Sequence, residues 1–157
     1  MKQLIIITIT FLLSLNSCSK IQGDKSLKIP EYEDYIIFGN TYGECTGDCR
    51  SLFLLTDKDL YEDSNNPLHE EVTFNCKALS NQKRKIADTL FVLPLSLRTN
   101  SFNQDELLQI ISDFDYIING NINGVEFWMR YDDIDSTKNY ELYQYSQTLR
   151  GVLNEIK

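Results

Sequence analysis

The chain predicts an α+β domain, an antiparallel β-sheet with about two helices packed on it, one of them C-terminal. Three observations predict it. Runs rich in β-branched and aromatic residues, Tyr35–Phe38, Ser51–Thr56 and Val125–Tyr131, alternate with short turn-forming stretches, as in a sheet of hairpins. Asn103-Gln104-Asp105-Glu106 sets out a helix start as a capping box. Leu142, Tyr145, Leu149, Val152, Leu153 and Ile156 recur at three- and four-residue spacings, the mark of a helix with one apolar side.

The N-terminus precedes any fold. Lys2 gives a positive start, Leu4–Leu15 is apolar, and Leu15-Asn16-Ser17-Cys18 closes the run with small residues. A bilayer core needs about 20 apolar residues in helical form. This stretch is too short to span one, and its order of charge, apolar run and small residues is that of a cleaved export signal. The ending resembles the lipobox of bacterial lipoproteins. The resemblance implies that residues 1–17 are a signal peptide, that the Cys18 sulfur receives diacylglycerol, and that the new amine is acylated. Several acyl chains on one residue anchor a protein stably, whereas one holds it marginally. Asn16 departs from the small or apolar residue usual at its place. Ser19, which is not Asp, implies an outer-membrane anchor facing the periplasm. The partner implied is thus a membrane, held through lipid at Cys18.

Residues 18–30 read as a lipidated tether, with lysines, Gly23 and Pro30 and little that packs. Residues 31–157 are then a single globular domain. The chain carries a net charge of −8, and removal of the signal takes away Lys2 and no acid. That sign opposes nucleic acid and anionic headgroups as partners of a basic surface. Lys83-Arg84-Lys85, after Asn81-Gln82, reads as a solvated loop.

Within the domain, Tyr35–Phe38 is a first strand with Gly39-Asn40 as its turn, and Asp57-Lys58-Asp59 joins Ser51–Thr56 to Leu60-Tyr61 in a hairpin. Glu71–Cys76 and Thr89–Leu97 are further strand candidates, with Pro94 marking an edge or a bend. Phe102 and Leu107 flank the Asn103 cap as a hydrophobic staple, and Leu107, Leu108, Ile111 and Phe114 form that helix's apolar face. Tyr116–Ile118 and Val125–Tyr131 bracket Asn119–Gly124. Asn119, Asn121 and Asn123-Gly124 copy the first half of a calcium loop, but Arg130 stands where a bidentate Glu is needed, so two Asn-Gly pairs read as a hairpin. Val125, Phe127, Met129 and Tyr131 should face inward, because alternate residues share a face. Asp135 or Ser136 should stand near the cap of the last helix, which begins at about Asn139.

Chemistry, if any, gathers at Tyr42-Gly43-Glu44-Cys45-Thr46-Gly47-Asp48-Cys49. With Cys18 lipidated, the disulfide candidates are Cys45, Cys49 and Cys76. Gly43 and Gly47 permit the tight backbone that a Cys45–Cys49 bridge needs. Cys76 is then left over, buried or reactive, and its pairing with Cys45 or Cys49 stays open. A thiol-redox site competes with that staple, although the spacing is C-x-x-x-C and no βαβ pattern surrounds it. A metal site of Cys45, Cys49, His69 and Cys76 also competes, since four such ligands suit Zn or Cu(I). His69 follows Asn65-Asn66-Pro67 and reads more simply as an exposed loop histidine. The Gly-x-Cys-x-Gly-x-Cys pattern loosely resembles a small exported bacterial domain of unknown function, with Arg50 where that family often has Pro; it implies no activity.

Two acidic groups, Asp57, Asp59, Glu62 and Asp63, and Asp132, Asp133 and Asp135, read as solvated turns. Acid–base catalysis needs carboxyls in contrasting environments. The chain has no G-x-S-x-G, H-E-x-x-H, phosphate-loop or dinucleotide fingerprint, so no catalytic residue and no cofactor is implied. The reading favoured is a non-enzymatic binding or interaction module, with a thiol or metal protein using Cys45, Cys49 and Cys76 as the alternative.

Overall fold

A computed structural model describes residues 26–27 (backbone only), 34–42, 49–64, 72–102 and 114–157. Its elements in chain order are β1 (Ser26–Leu27), β2 (Tyr35–Tyr42), β3 (Arg50–Thr56), β4 (Leu60–Glu62), β5 (Phe74–Asn75), α1 (Asn81–Ala87), a 3-10 turn (Asp88–Phe91), α2 (Leu95–Arg98), β6 (Phe114–Ile122), β7 (Val125–Tyr131) and α3 (Tyr140–Ile156). The main sheet has five strands in the order β4-β3-β2-β6-β7, every neighbour antiparallel. β1 pairs with β5, and a single bridge from Asp63 to Phe74 joins β5 to the end of β4. With helices on an antiparallel sheet, the α+β class is borne out.

One register decides both faces. Ile36 and Phe38 alternate with Ile37 and Gly39 along β2, and their cross-strand partners repeat the alternation on β3 and β6. The first face buries Phe38, Phe53, Leu55, Ile118, Met129 and Tyr131 under α1, the 3-10 turn, α2 and α3. The second face buries a smaller set, Ile37, Leu52, Leu54 and Phe74, flanked by Tyr35 and Tyr61.

α3 forms as its periodicity requires: all six apolar positions of the stripe are buried. Asn139 caps it, its side chain accepting from the Leu142 N–H at 3.0 Å. The cap is therefore neither Asp135 nor Ser136. Asp135 instead accepts from the Thr137 hydroxyl and N–H, and these bonds lower its pKa. Tyr145 sends its hydroxyl 2.7 Å to the Leu90 carbonyl, tying α3 to the 3-10 turn.

Five segments depart from expectation. Gly39-Asn40 lies inside β2 rather than at a turn. A Cβ on Gly39 would stand 2.0 Å from the Ser51 carbonyl oxygen, so this glycine lets β3 approach. Thr89–Leu97 is not a strand: it contains most of the 3-10 turn, and Pro94 caps the start of α2 at φ −63°. Lys83-Arg84-Lys85 is helical, in α1, with Ser80 as its cap accepting from the Lys83 N–H. Phe114 opens β6 rather than completing a helix; the rest of the expected helix, residues 103–113, lies outside the described residues. Of the strand expected over Glu71–Cys76, Phe74-Asn75 is the part that forms among the described residues, and Glu71 lies outside them. The hairpin at Asn119–Gly124 holds but is tighter. Only Asn123 and Gly124 turn, at φ 54° and 77°, the two left-handed positions of a type I′ turn. Val125, at that turn, is exposed, while Phe127, Met129 and Tyr131 face inward as expected.

Candidate functional site

Cys49 precedes β3 and is buried, its carbonyl accepting from the Tyr42 N–H at 2.7 Å. Cys76 follows β5 and is half-buried. Both are disulfide-bonded, so Cys76 is not the left-over thiol expected. They do not bond to each other. The register sets Phe74 opposite Asp63 and Leu54 opposite Tyr61, which carries Cys76 level with Tyr61, far along the strand direction from Cys49. Two strand spacings and several residues of offset amount to roughly 15 Å or more. A disulfide needs Cα atoms within about 7 Å, and a single metal ion demands closer convergence still. The structure therefore does not bring Cys49 and Cys76 into one site. Cys18, Cys45 and His69 lie outside the described residues. Among the described residues no three His, Cys, Asp or Glu side chains are grouped to hold a metal.

What the sheet does bring together, beside Cys49, is a polar band at one end. Thr41 on β2 has Arg50 of β3 as its cross-strand partner on one side and Asp115 of β6 on the other. Diagonal neighbours complete the row. Arg50 Nε lies 2.7 Å from Asp63 Oδ2, both side chains almost wholly buried at 3% and 1% exposure. Arg130 of β7 donates to Asp115 through Nε at 2.9 Å and also through Nη2. Acid, base, hydroxyl, acid and base thus alternate across the second face. Each charge meets its opposite on the adjacent strand, as opposite-charge cross-strand pairs do.

The same end of the first face is aromatic. Tyr42, Phe114, Tyr116 and Tyr131 form a continuous contact series at centroid distances of 5.1, 4.8 and 5.2 Å. The Arg150 guanidinium lies 4.9 Å from the Tyr116 centroid and donates to the Asp132 carbonyl at 2.7 Å. Asn40, the cross-strand partner of Tyr116, is fully buried and accepts from Lys157 Nζ at 2.6 Å. Burial drives the Tyr131 and Tyr145 hydroxyls far above the ordinary phenol value, so neither is a proton donor or acceptor for chemistry near neutrality.

None of this band was singled out from the sequence. Arg50 registered only as a departure from a resemblance, and Asp63 as one more acid in a turn, whereas it is buried. A readable signal existed for Arg50, a lone base opening an otherwise apolar strand. Nothing local foretold its partner thirteen residues on. Of the other acids, Asp57, Glu62 and Asp133 are exposed as read, while Asp59, Asp132 and Asp135 are half-buried.

No protein-family model and no curated protein matches the chain. Among the described residues each carboxylate of the band is engaged by a guanidinium group, Asp63 through Oδ2 and Asp115 through Oδ2, while Asp63 Oδ1 is buried without a hydrogen-bond partner. Apart from Arg130 the band is buried, and its charge pairs orient neighbouring strands.

Proposed function

We propose that the chain is an exported, lipid-anchored binding or interaction module, held to a bacterial membrane through Cys18 and without catalytic activity. Support for the address comes from the pattern Met1–Cys18 and from the oxidised state of Cys49 and Cys76, which fits a compartment that favours disulfides. Support for binding rather than catalysis comes from the charge row Asp63–Arg50–Thr41–Asp115–Arg130, in which each carboxylate meets a guanidinium group of the adjacent strand. Among the described residues no helix is long and apolar enough to cross a bilayer, and the anchoring proposed needs none. Replacing Cys18 by Ala in the full chain releases the protein from the membrane fraction and abolishes incorporation of labelled fatty acid. A variant that stays membrane-bound, or a wild-type chain that takes up no label, overturns the anchor.

A second reading of Cys18 is favoured by one observation. The chain has four cysteines, and two of them, Cys49 and Cys76, are oxidised at positions that keep them apart. If both bonds lay within a single chain they would use all four cysteines and leave no sulfur for lipid. With Cys18 lipidated, one of the two bonds runs to another molecule. Intact mass with alkylation before and after reduction separates these cases. An acylated Cys18 and one reducible external partner uphold the anchor; two internal disulfides and no acyl mass overturn it.

A further inference from the structure

Strand β7 ends the sheet order, and among the described residues no strand pairs with its outer edge. The type I′ turn at Asn123-Gly124 fixes which backbone groups face outward. Ile122 and Val125 close the hairpin as a hydrogen-bonded pair, so Val125, Phe127, Met129 and Tyr131 exchange bonds with β6. The N–H and C=O groups of Glu126, Trp128 and Arg130 then point away from the sheet. Asn100 Nδ2, which donates to the Glu126 carbonyl at 3.4 Å from outside β6, agrees with that direction. The side chains of the same three residues are exposed on the second face, Trp128 at 49%. Opposite charges stand symmetrically about the indole, two residues to either side.

We propose that β7 pairs antiparallel with β7 of a second copy of this chain, about a two-fold axis at Trp128. In that register Trp128 faces its counterpart, and Glu126 of each copy faces Arg130 of the other. All three are hydrogen-bonded pairs, so the contact engages the outward N–H and C=O groups without disturbing the β6–β7 ladder, the incoming strand taking the Glu126 carbonyl from the Asn100 amide. The two opposite-charge pairs select this alignment. A slip of four residues in one direction sets Glu126 against Glu126, and in the other sets Arg130 against Arg130, each destabilising. Arg130 keeps its bonds to Asp115 through Nε and Nη2, and its side chain is 48% exposed, so its outer side can also meet a carboxylate. An edge complementary to itself is what an isologous dimer requires.

The test uses the full chain in a density-matched detergent and the chain's single tryptophan. Sedimentation equilibrium shows a monomer–dimer exchange, and Trp128 emission shifts to the blue with the same midpoint as the indoles meet. Glu126→Lys faces Lys against Arg at both pairs and weakens the dimer at least about tenfold, with its thermal melt close to the wild type's. Trp128→Pro removes an outward N–H that β6 does not use, and leaves a monomer by sedimentation. A chain that is monomeric at every concentration overturns the proposal, whether or not another protein's strand occupies the edge. So does a dimer that forms equally well with Glu126→Lys, or one whose Trp128 emission does not move.

Discussion

Replacing Asp63 by Asn keeps the shape of the side chain and deletes the charge that Arg50 faces. The two side chains are 3% and 1% exposed and 2.7 Å apart, so water cannot take over the lost contact. Arg cannot shed its proton to relieve the cost. Breaking a buried pair by removing one partner costs about 3–5 kcal/mol, which for a domain of this size lowers Tm by roughly 10–20 °C. Two other pairs supply the scale. At Asp115→Asn the Arg130 side chain is already 48% exposed, so water compensates for the lost carboxylate and the loss falls to about 1 kcal/mol. Asp88→Asn removes an i,i+4 pair at the end of α1, 20% and 36% exposed, worth about 0.3–0.5 kcal/mol. Urea unfolding at neutral pH checks the order, read as midpoint shifts at constant slope. The double replacement Arg50→Met with Asp63→Leu should recover most of the loss, since an apolar pair often substitutes for a buried ionic one without penalty. An Asp63→Asn cost no larger than that of Asp88→Asn would refute the claim that burial sets these energies.

Gly39→Ala should destabilise by about 1–3 kcal/mol or more, because its Cβ meets the Ser51 carbonyl at 2.0 Å and the Leu52 Cα at 2.9 Å in the centre of the sheet. Gly151→Ala, with nothing within 4 Å of the added Cβ in mid-α3, should stabilise by roughly 0.5–1 kcal/mol; thermal melts of the pair must differ in sign. Burial raises the folded-state pKa of Tyr131 and Tyr145. Their contribution to stability is therefore intact below the unfolded phenol value of about 10 and is lost as pH rises above it, where the unfolded chain ionises first. Tyrosinate absorbance followed together with circular dichroism should show these last phenols titrating only as the fold is lost.

The α3 stripe, the hairpin about Asp57–Asp59 and the inward residues of β7 were legible because each is a local pattern with one period. Thr89–Leu97 was misread for the converse reason: a short apolar run suits strand or helix alike. The deciding signal spans a longer window, where Ala87, Leu90, Leu93 and Leu97 are buried at three- and four-residue steps. Gly39-Asn40 was misread because a glycine that turns the chain and a glycine that admits a neighbouring strand look the same in sequence. Only the Ser51 carbonyl beside it tells them apart. The polar band was invisible because its members come from four strands, and pairing such as Asp115 with Arg130 exists only once β6 and β7 are in register. Asn40 and Lys157 stand at opposite ends of the folded chain and meet only through the docking of α3.

The chain's net charge of −8 and the compensated second face have a joint consequence for association at β7. Acid and base alternate along Asp63, Arg50, Asp115 and Arg130, so the excess negative charge lies elsewhere, in exposed groups such as Asp57, Glu62, Asp133 and Glu155. Two copies approaching edge to edge therefore repel at long range and attract only at contact. The Debye length is about 10 Å at 0.1 M salt and about 30 Å at 0.01 M. Added salt screens the distant repulsion first, while the Glu126–Arg130 contacts and the backbone bonds act within a few ångströms. Self-association through β7 should accordingly tighten between low and physiological ionic strength, the opposite of the trend for partners of opposite net charge. A dimer that loosens steadily over that range would mean that cross-strand attraction, not whole-molecule repulsion, dominates its electrostatics.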